Sequence, residues 1–233
     1  MGIFRQIADI FLPPLCVCCR RRLISGETFV CMPCYMSLGM SLGQDDYRDG
    51  YLPKMFFPIF PVEAAASGFA YFTGSTMSKL VREFKFCGNK RLAVYMGRQL
   101  AQEEYPSQVL ANDVDALLPV PISKERMMER GYNQSELLCQ GISEVTGIPV
   151  VTDVLRRIKH CESQTKFSGH ERKMNVVGAF TAENTQQLEG KHVVLFDDII
   201  TTGATASECL LQLRGVPGLR VSILSLCLTS RVG

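Results

Sequence analysis

The segment Val193-Val194-Leu195-Phe196-Asp197-Asp198-Ile199-Ile200-Thr201-Thr202-Gly203-Ala204-Thr205 constrains this chain more than any other. Four consecutive apolar residues leave no polar face. Such a run suits a strand covered on both sides, which is how parallel sheets are built. Two adjacent acids follow, and then a hydroxyl- and glycine-rich turn that opens a helix over Ser207–Arg214, closed by Gly215. The pattern therefore predicts a strand, a ligand-facing loop and a helix in an α/β sheet, where ligands gather at the carboxyl ends of the strands.

Each part of the segment has a chemical use. A turn leading into a helix N-terminus offers backbone N–H groups and a partial positive charge to a phosphate. Gly203 lets the backbone come close, and Thr201, Thr202 and Thr205 add hydroxyl donors beside Ala204. Asp197 and Asp198 would repel a phosphate, so they suit another part of the ligand; carboxylates accept well from vicinal hydroxyls such as those of a ribose. An isolated Thr-Thr-Gly would read as ordinary helix capping. Paired acids behind a buried strand favour a sugar carrying a terminal phosphate.

The rest of the chain alternates in the same way. Ala64–Phe72 reads as a strand, Ser75–Phe86 as a helix with Leu80, Val81 and Phe84 on one face, and Leu92–Gln102 as a second helix. Val114–Val120 is a short apolar strand followed by a polar loop with Lys124, Arg126, Arg130 and Gly131. Gln134–Thr146 reads as a helix with Leu138, Ile142 and Val145 inward, capped by Asn133 with Glu136 at the reciprocal position and stopped by Gly147 and Pro149. Residues 150–155 are a further strand candidate, and Leu219–Leu228 is a final buried strand. Gly43, Gly50, Pro53, Pro58 and Pro61 mark residues 43–61 as irregular.

The order of motifs carries a resemblance. The acid-and-turn segment resembles the motif that binds phosphoribosyl pyrophosphate (PRPP) in type I phosphoribosyltransferases. Further motifs resemble the ComF family of competence-associated proteins, which includes the gluconate-linked GntX group. They are Lys85-Phe86-X-Gly88, Leu118-Pro119-Val120-Pro121, Arg130-Gly131-Tyr132-Asn133-Gln134-Ser135, Gln164-Thr165, Glu171-Arg172 and Asn175-Val176-Val177-Gly178-Ala179-Phe180. The resemblance implies a type I phosphoribosyltransferase fold: a mostly parallel sheet flanked by helices, with Mg²⁺ accompanying PRPP. In that family the acids hold the ribose hydroxyls and the following loop holds the 5′-phosphate. It further implies that Pro121–Gln134 is a pyrophosphate loop, with Pro121, Lys124, Arg126 and Arg130. Arg156–Lys173 resembles a mobile loop that closes over PRPP, bringing Gln164, Lys166 and Arg172, the last beside Asp197 and Asp198 in a catalytic role.

The cysteines divide into two groups. Of 10 in the chain, Cys16, Cys18, Cys19, Cys31 and Cys34 lie together, while Cys87, Cys139, Cys161, Cys209 and Cys227 stand singly among apolar neighbours. A secreted disulfide scaffold would spread its pairs. Cys16-X-X-Cys19 and Cys31-X-X-Cys34 instead have the spacing of a tetrahedral structural zinc site, with Cys18 a surplus thiol that competes with Cys19 as ligand. Many ComF members carry such a finger. The three histidines read as surface or loop groups.

These readings divide the chain into an N-terminal helix and zinc module at 1–42, a linker at 43–62 and a transferase-like domain at 63–233. Hydrophobic residues make up 46% and the formal net charge is +2, which excludes a disordered chain and demands neither a nucleic acid nor a membrane. No apolar run approaches the roughly 20 residues that cross a bilayer. Met1–Pro14 lacks the unbroken apolar centre of a signal peptide, and with Ile3, Ile7 and Ile10 at helical spacing it reads as an amphipathic helix of a cytoplasmic protein. Two functions are expected: a phosphoribosyltransferase of unspecified acceptor, or a non-catalytic protein of DNA uptake that meets single-stranded DNA or DNA-uptake proteins through its finger and basic loops.

Overall fold

The computed structural model describes residues 13–39, 47–158 and 178–229. The N-terminal helix expected within Met1–Pro14 falls almost entirely outside them, as do Gln164, Lys166 and Arg172 of the second basic region.

The centre of the fold is a four-stranded, all-parallel sheet. Its strands are β1 (Ala65–Tyr71), β2 (Ala116–Pro119), β5 (His192–Ile200) and β6 (Arg220–Thr229), in the order β1-β6-β5-β2. The apolar run in β5 divides by its period of two: Val194 and Phe196 enter one core, Val193 and Leu195 the other. Both faces of the sheet are thus covered, as the unbroken apolar strands require.

One face carries α3 (Thr76–Phe86), α4 (Lys90–Leu100), α5 (Glu104–Leu110) and α7 (Gln134–Thr146). Ser75 caps α3, and its Met77, Leu80, Val81 and Phe84 are buried. Helices α4 and α7 touch backbone to backbone. A Cβ at Gly97 would lie 2.0 Å from the Leu138 carbonyl oxygen, and one at Gly141 2.0 Å from that of Val94. The opposite face carries α2 (Tyr51–Phe56), a two-stranded antiparallel ribbon of β3 (Leu155–Arg157) and β4 (Phe180–Ala182), and α8 (Ala204–Leu213).

Several elements differ from expectation. The region 43–61 holds a helix, α2, whose Leu52 and Phe56 are buried in the second core. Pro53 fits because it stands in the first turn, where its missing N–H has no partner to lose. The polar loop after β2 is mostly a helix, α6 (Lys124–Arg130), capped by Ser123 and ended by Gly131 at φ 74°. Val150 makes only an isolated bridge to Leu117, and the strand lies later, at 155–157. Val145 of α7 is exposed rather than inward. His192 is buried, its ring bridging the Asn112 carbonyl and the Ser222 hydroxyl. Most consequentially, β5 runs on through Asp197 to Ile200, so the acids belong to a strand and not to a loop.

The cysteine module, with its short helix α1 (Met32–Met36), packs on the first core. Cys16, Leu23, Val30, Cys31 and Leu38 are buried in it. Phe29 meets Tyr95 of α4 with ring centroids 5.4 Å apart, and the Tyr35 hydroxyl donates to Glu103 at 2.9 Å. Among the described residues no helix is long and apolar enough to cross a membrane.

Candidate functional site

The carboxyl ends of β2 and β5 open into a cleft of about 310 Å³. Asp197, Asp198, Thr201 and Thr205 line it from β5 and the turn into α8. Pro121 and Arg126 line it from the segment after β2, together with Gln134 and Ser135 at the start of α7. Lys85 of α3 and Arg157 of β3 complete the charged wall.

The strand's alternation sends the two acids to opposite faces. Asp198 follows Phe196 toward α3, where its Oδ2 lies 2.7 Å from Lys85 Nζ. Asp197 follows Leu195 toward the other face, where the positive charge of Arg157 acts on it. Its Oδ1 accepts from the Asp198 backbone N–H at 2.9 Å. Burial, and next the charge of Asp198, push the Asp197 carboxyl up to about 7, against the pull of Lys85 and Arg157.

Helix α8 begins at Gly203, which has φ 72° and provides no side-chain cap. Its first N–H groups therefore keep donors for a ligand, unlike those of α3, α4, α6 and α7, each of which has a side-chain cap. The close approach that Gly203 permits is to α2: a Cβ there would meet Met55 Sδ at 2.6 Å and the Phe56 ring at 3.0 Å.

Of the other expected residues, Thr202, Ala204, Lys124 and Arg130 stand outside the lining. Arg130 braces it instead, donating to Gln134 Oε1 at 2.9 Å while its guanidinium lies 5.1 Å over the Phe86 ring. Burial and the like charge of Arg126 lower its affinity for a proton. Lys85, Gln134 and Ser135 lie outside the site residues that the sequence suggests but inside motifs that carry the resemblance, which is the available signal. Arg157 belongs to the basic region Arg156–Lys173, whose first two residues are in strand β3 and not in a loop.

The second site is a sulfur cluster. The Sγ atoms of Cys16, Cys19, Cys31 and Cys34 all lie within 4.8 Å of one another. Ligands about 2.3 Å from a tetrahedral zinc would be roughly 3.8 Å apart, so the set fits a metal such as zinc with little movement. Cys19 and Cys31 already approach to 3.6 Å, and the Cys31 N–H donates to Cys16 Sγ at 3.4 Å. Burial raises the Cys16 thiol, but backbone N–H groups led by that of Cys31 outweigh it and bring the thiol down to about 6. Cys18 turns away toward the Thr76 carbonyl, and burial pushes its thiol up to about 12. The geometry thus separates Cys18 from Cys19, which the spacing left as alternatives.

No protein-family model matches the chain. Among curated proteins, competence protein F of Haemophilus influenzae is 37% identical over 110 residues, 46% of this chain and 48% of that protein. The DNA utilization protein YhgH of Salmonella typhi is 31% identical over 155 residues, 66% of this chain and 67% of that protein. The chain belongs to the ComF family. Competence protein ComFC of Bacillus subtilis is 31% identical over 61% of this ComF protein and 56% of its own length. Among solved structures, glutamine PRPP amidotransferase from B. subtilis is 25% identical with a TM-score of 0.38, covering 57% of this chain and 25% of its own.

Proposed function

We propose that this ComF protein binds PRPP in the cleft at the ends of β2 and β5 and is a phosphoribosyltransferase, or a sensor built on one. The observation that carries the reading is the junction of β5 and α8. It puts two carboxylates and two threonine hydroxyls, Thr201 and Thr205, in one cleft, beside a helix N-terminus without a side-chain cap. A ribose 5-phosphate needs those two kinds of partner side by side: acceptors for the hydroxyls, and N–H and O–H donors for the phosphate. Arg126 and Arg157 supply positive charge for a pyrophosphate at the other end. Mg²⁺ arriving with PRPP would offset pyrophosphate charge and favour its departure. Arg172, Gln164 and Lys166 are proposed to join from the second basic region. Arg130 acts from behind the lining through Gln134, and Lys124 is proposed to reach the pyrophosphate from the exposed surface of α6.

The test is calorimetric titration with PRPP and Mg²⁺, then an assay for pyrophosphate release with candidate bases. Saturable binding that is lost in Asp197→Asn/Asp198→Asn is expected. A wild-type protein with no affinity for PRPP would overturn the proposal. Release of pyrophosphate distinguishes a transferase from a sensor.

A second reading rests on the names of the relatives, competence protein and DNA utilization protein. In it the fold serves DNA uptake without turnover, and single-stranded DNA or an uptake protein meets the cysteine module and basic residues. A zinc ion held by Cys16, Cys19, Cys31 and Cys34 would, on either reading, be structural.

A further inference from the structure

Lys85 is absent from the chemistry above except as one positive charge among several, yet its placement is specific. It stands in the last turn of α3, a helix fixed by four buried apolar side chains and by the Tyr132 hydroxyl, which donates to the Phe84 carbonyl. Its ammonium reaches Asp198 at 2.7 Å, with side-chain exposures of only 16% and 7%. An ion pair so shielded from water is costly to break on one side only. Asp198 is therefore engaged before any ligand arrives. Among the described residues no lysine makes such an ion pair with Asp197, which is directed to the other face.

We propose that Lys85 is a positioning residue for the acid pair: its ammonium holds the Asp198 side chain against α3, and so leaves the ribose hydroxyls to Asp197. The proposal rests on the reading of this cleft as a PRPP site and deepens it. Two neighbouring carboxylates in a confined cleft repel each other. With Lys85 in place the Asp198 carboxylate is tied to α3, on the face away from Asp197. Without it, Asp198 loses its ion-pair partner and turns into the cleft, where it competes with Asp197 for the ribose and repels the ligand's phosphates.

The charged and titratable groups around the pair are distributed on every packed element. Arg157 faces Asp197 from β3, and Arg130 faces Asp198 from α6, the helix that also carries Arg126. The thiol of Cys209 on α8 faces Asp197, near Glu208, and that of Cys227 on β6 faces Asp198. Burial raises both thiols well above their ordinary range, so they stay neutral beside the acids. The Glu208 carboxylate is engaged by the Gly178 N–H at 2.6 Å. Lys85 is the cation in direct ion-pair contact with Asp198 among the described residues.

The experiment titrates wild type, Lys85→Met, Lys85→Arg, Asp198→Asn and Lys85→Met/Asp198→Asn with ribose 5-phosphate and with PRPP plus Mg²⁺, between pH 6 and 8.5. A parallel arm follows the ¹³C carboxyl resonances of Asp197 and Asp198 without ligand. Lys85→Met is expected to weaken both ligands about tenfold. Lys85→Arg should restore them, and the double variant should bind no worse than Lys85→Met alone. Without ligand, the Asp198 carboxyl resonance should move in Lys85→Met and return in Lys85→Arg. Weakening of PRPP alone would overturn the proposal, because Lys85 would then be a pyrophosphate contact. Losses that multiply in the double variant, or an Asp198 resonance unchanged in Lys85→Met, would overturn it as well. If wild type bound neither ligand while the Asp198 resonance still depended on Lys85, the PRPP reading and the ribose assignment would fall together, and the ion-pair arrangement would stand apart from them.

Discussion

Replacing Asp197 with Asn should stabilise the protein, and the gain should grow with pH. The reason lies in the folded state's grip on a proton. Burial and the neighbouring Asp198 hold the Asp197 carboxyl near 7, against an ordinary value of 3.8. A carboxyl raised by folding contributes stability while protonated in both states, below pH 4. That contribution is lost as pH rises toward 7, because the unfolded chain releases its proton first. Above about pH 7 the penalty is complete, and the displacement corresponds to at most roughly 4 kcal/mol. The partial exposure of Asp197 at the cleft allows solvent to relieve some of it, so a gain of about 1–3 kcal/mol at pH 8 is expected for Asp197→Asn. The amide keeps the shape and can still accept from the Asp198 N–H. The assay is urea unfolding of both proteins at pH 5, 6.5 and 8. The difference between them should be smallest at pH 5 and favour the variant at pH 8. A difference independent of pH, or a variant less stable at pH 8, would refute the reasoning.

Two other perturbations follow from the packing. Cys19→Ser should lose the metal, whereas Cys18→Ser should keep about one zinc per chain, because the Cys19 sulfur joins the cluster and the Cys18 sulfur faces Thr76; elemental analysis of purified variants decides it. Gly97→Ala and Gly141→Ala should each lower the free energy of unfolding by about 1–3 kcal/mol. The backbone carbonyls 2.0 Å away cannot yield as a side chain would, and this outweighs the ~1 kcal/mol that alanine normally gains in a helix. Chemical denaturation measures both, and a stabilised variant would contradict the helix contact.

The sequence disclosed whatever repeats at a period. β5 and β6 were visible as apolar runs, and α3 and α7 as helical stripes, because each buries a face. α6 was hidden for the opposite reason: its seven residues bury nothing, so no apolar periodicity marks it. β3 and β4 are three residues each, too short to alternate recognisably. The acids are legible at once, but the unbroken apolar run that marks their strand ends at Phe196. Its continuation, Ile199 and Ile200, pairs with Cys227 and Leu228 beyond the two acids. At the site, the turn and acids are contiguous and therefore readable. The partnership of Lys85 with Asp198 joins distant stretches of chain and exists only after folding. The cysteine spacing announced four thiols, and only three-dimensional placement could separate Cys18 from Cys19.

The strand order has a consequence for how the chain comes into being. β1 is a sheet edge whose hydrogen-bonded neighbour is β6, which leaves the ribosome about 150 residues later. At ordinary elongation rates that interval is roughly 10–30 s. During it Ala65–Tyr71 has no sheet to join, although the cysteine module and α3 are already synthesised. The β5–α8 junction is made late as well, and β6 then inserts between β5 and β1 to close the sheet. Weakening β6 would therefore lengthen the period in which an unpaired apolar strand is exposed, and its first symptom would be a poor yield of folded protein rather than a weak ligand site.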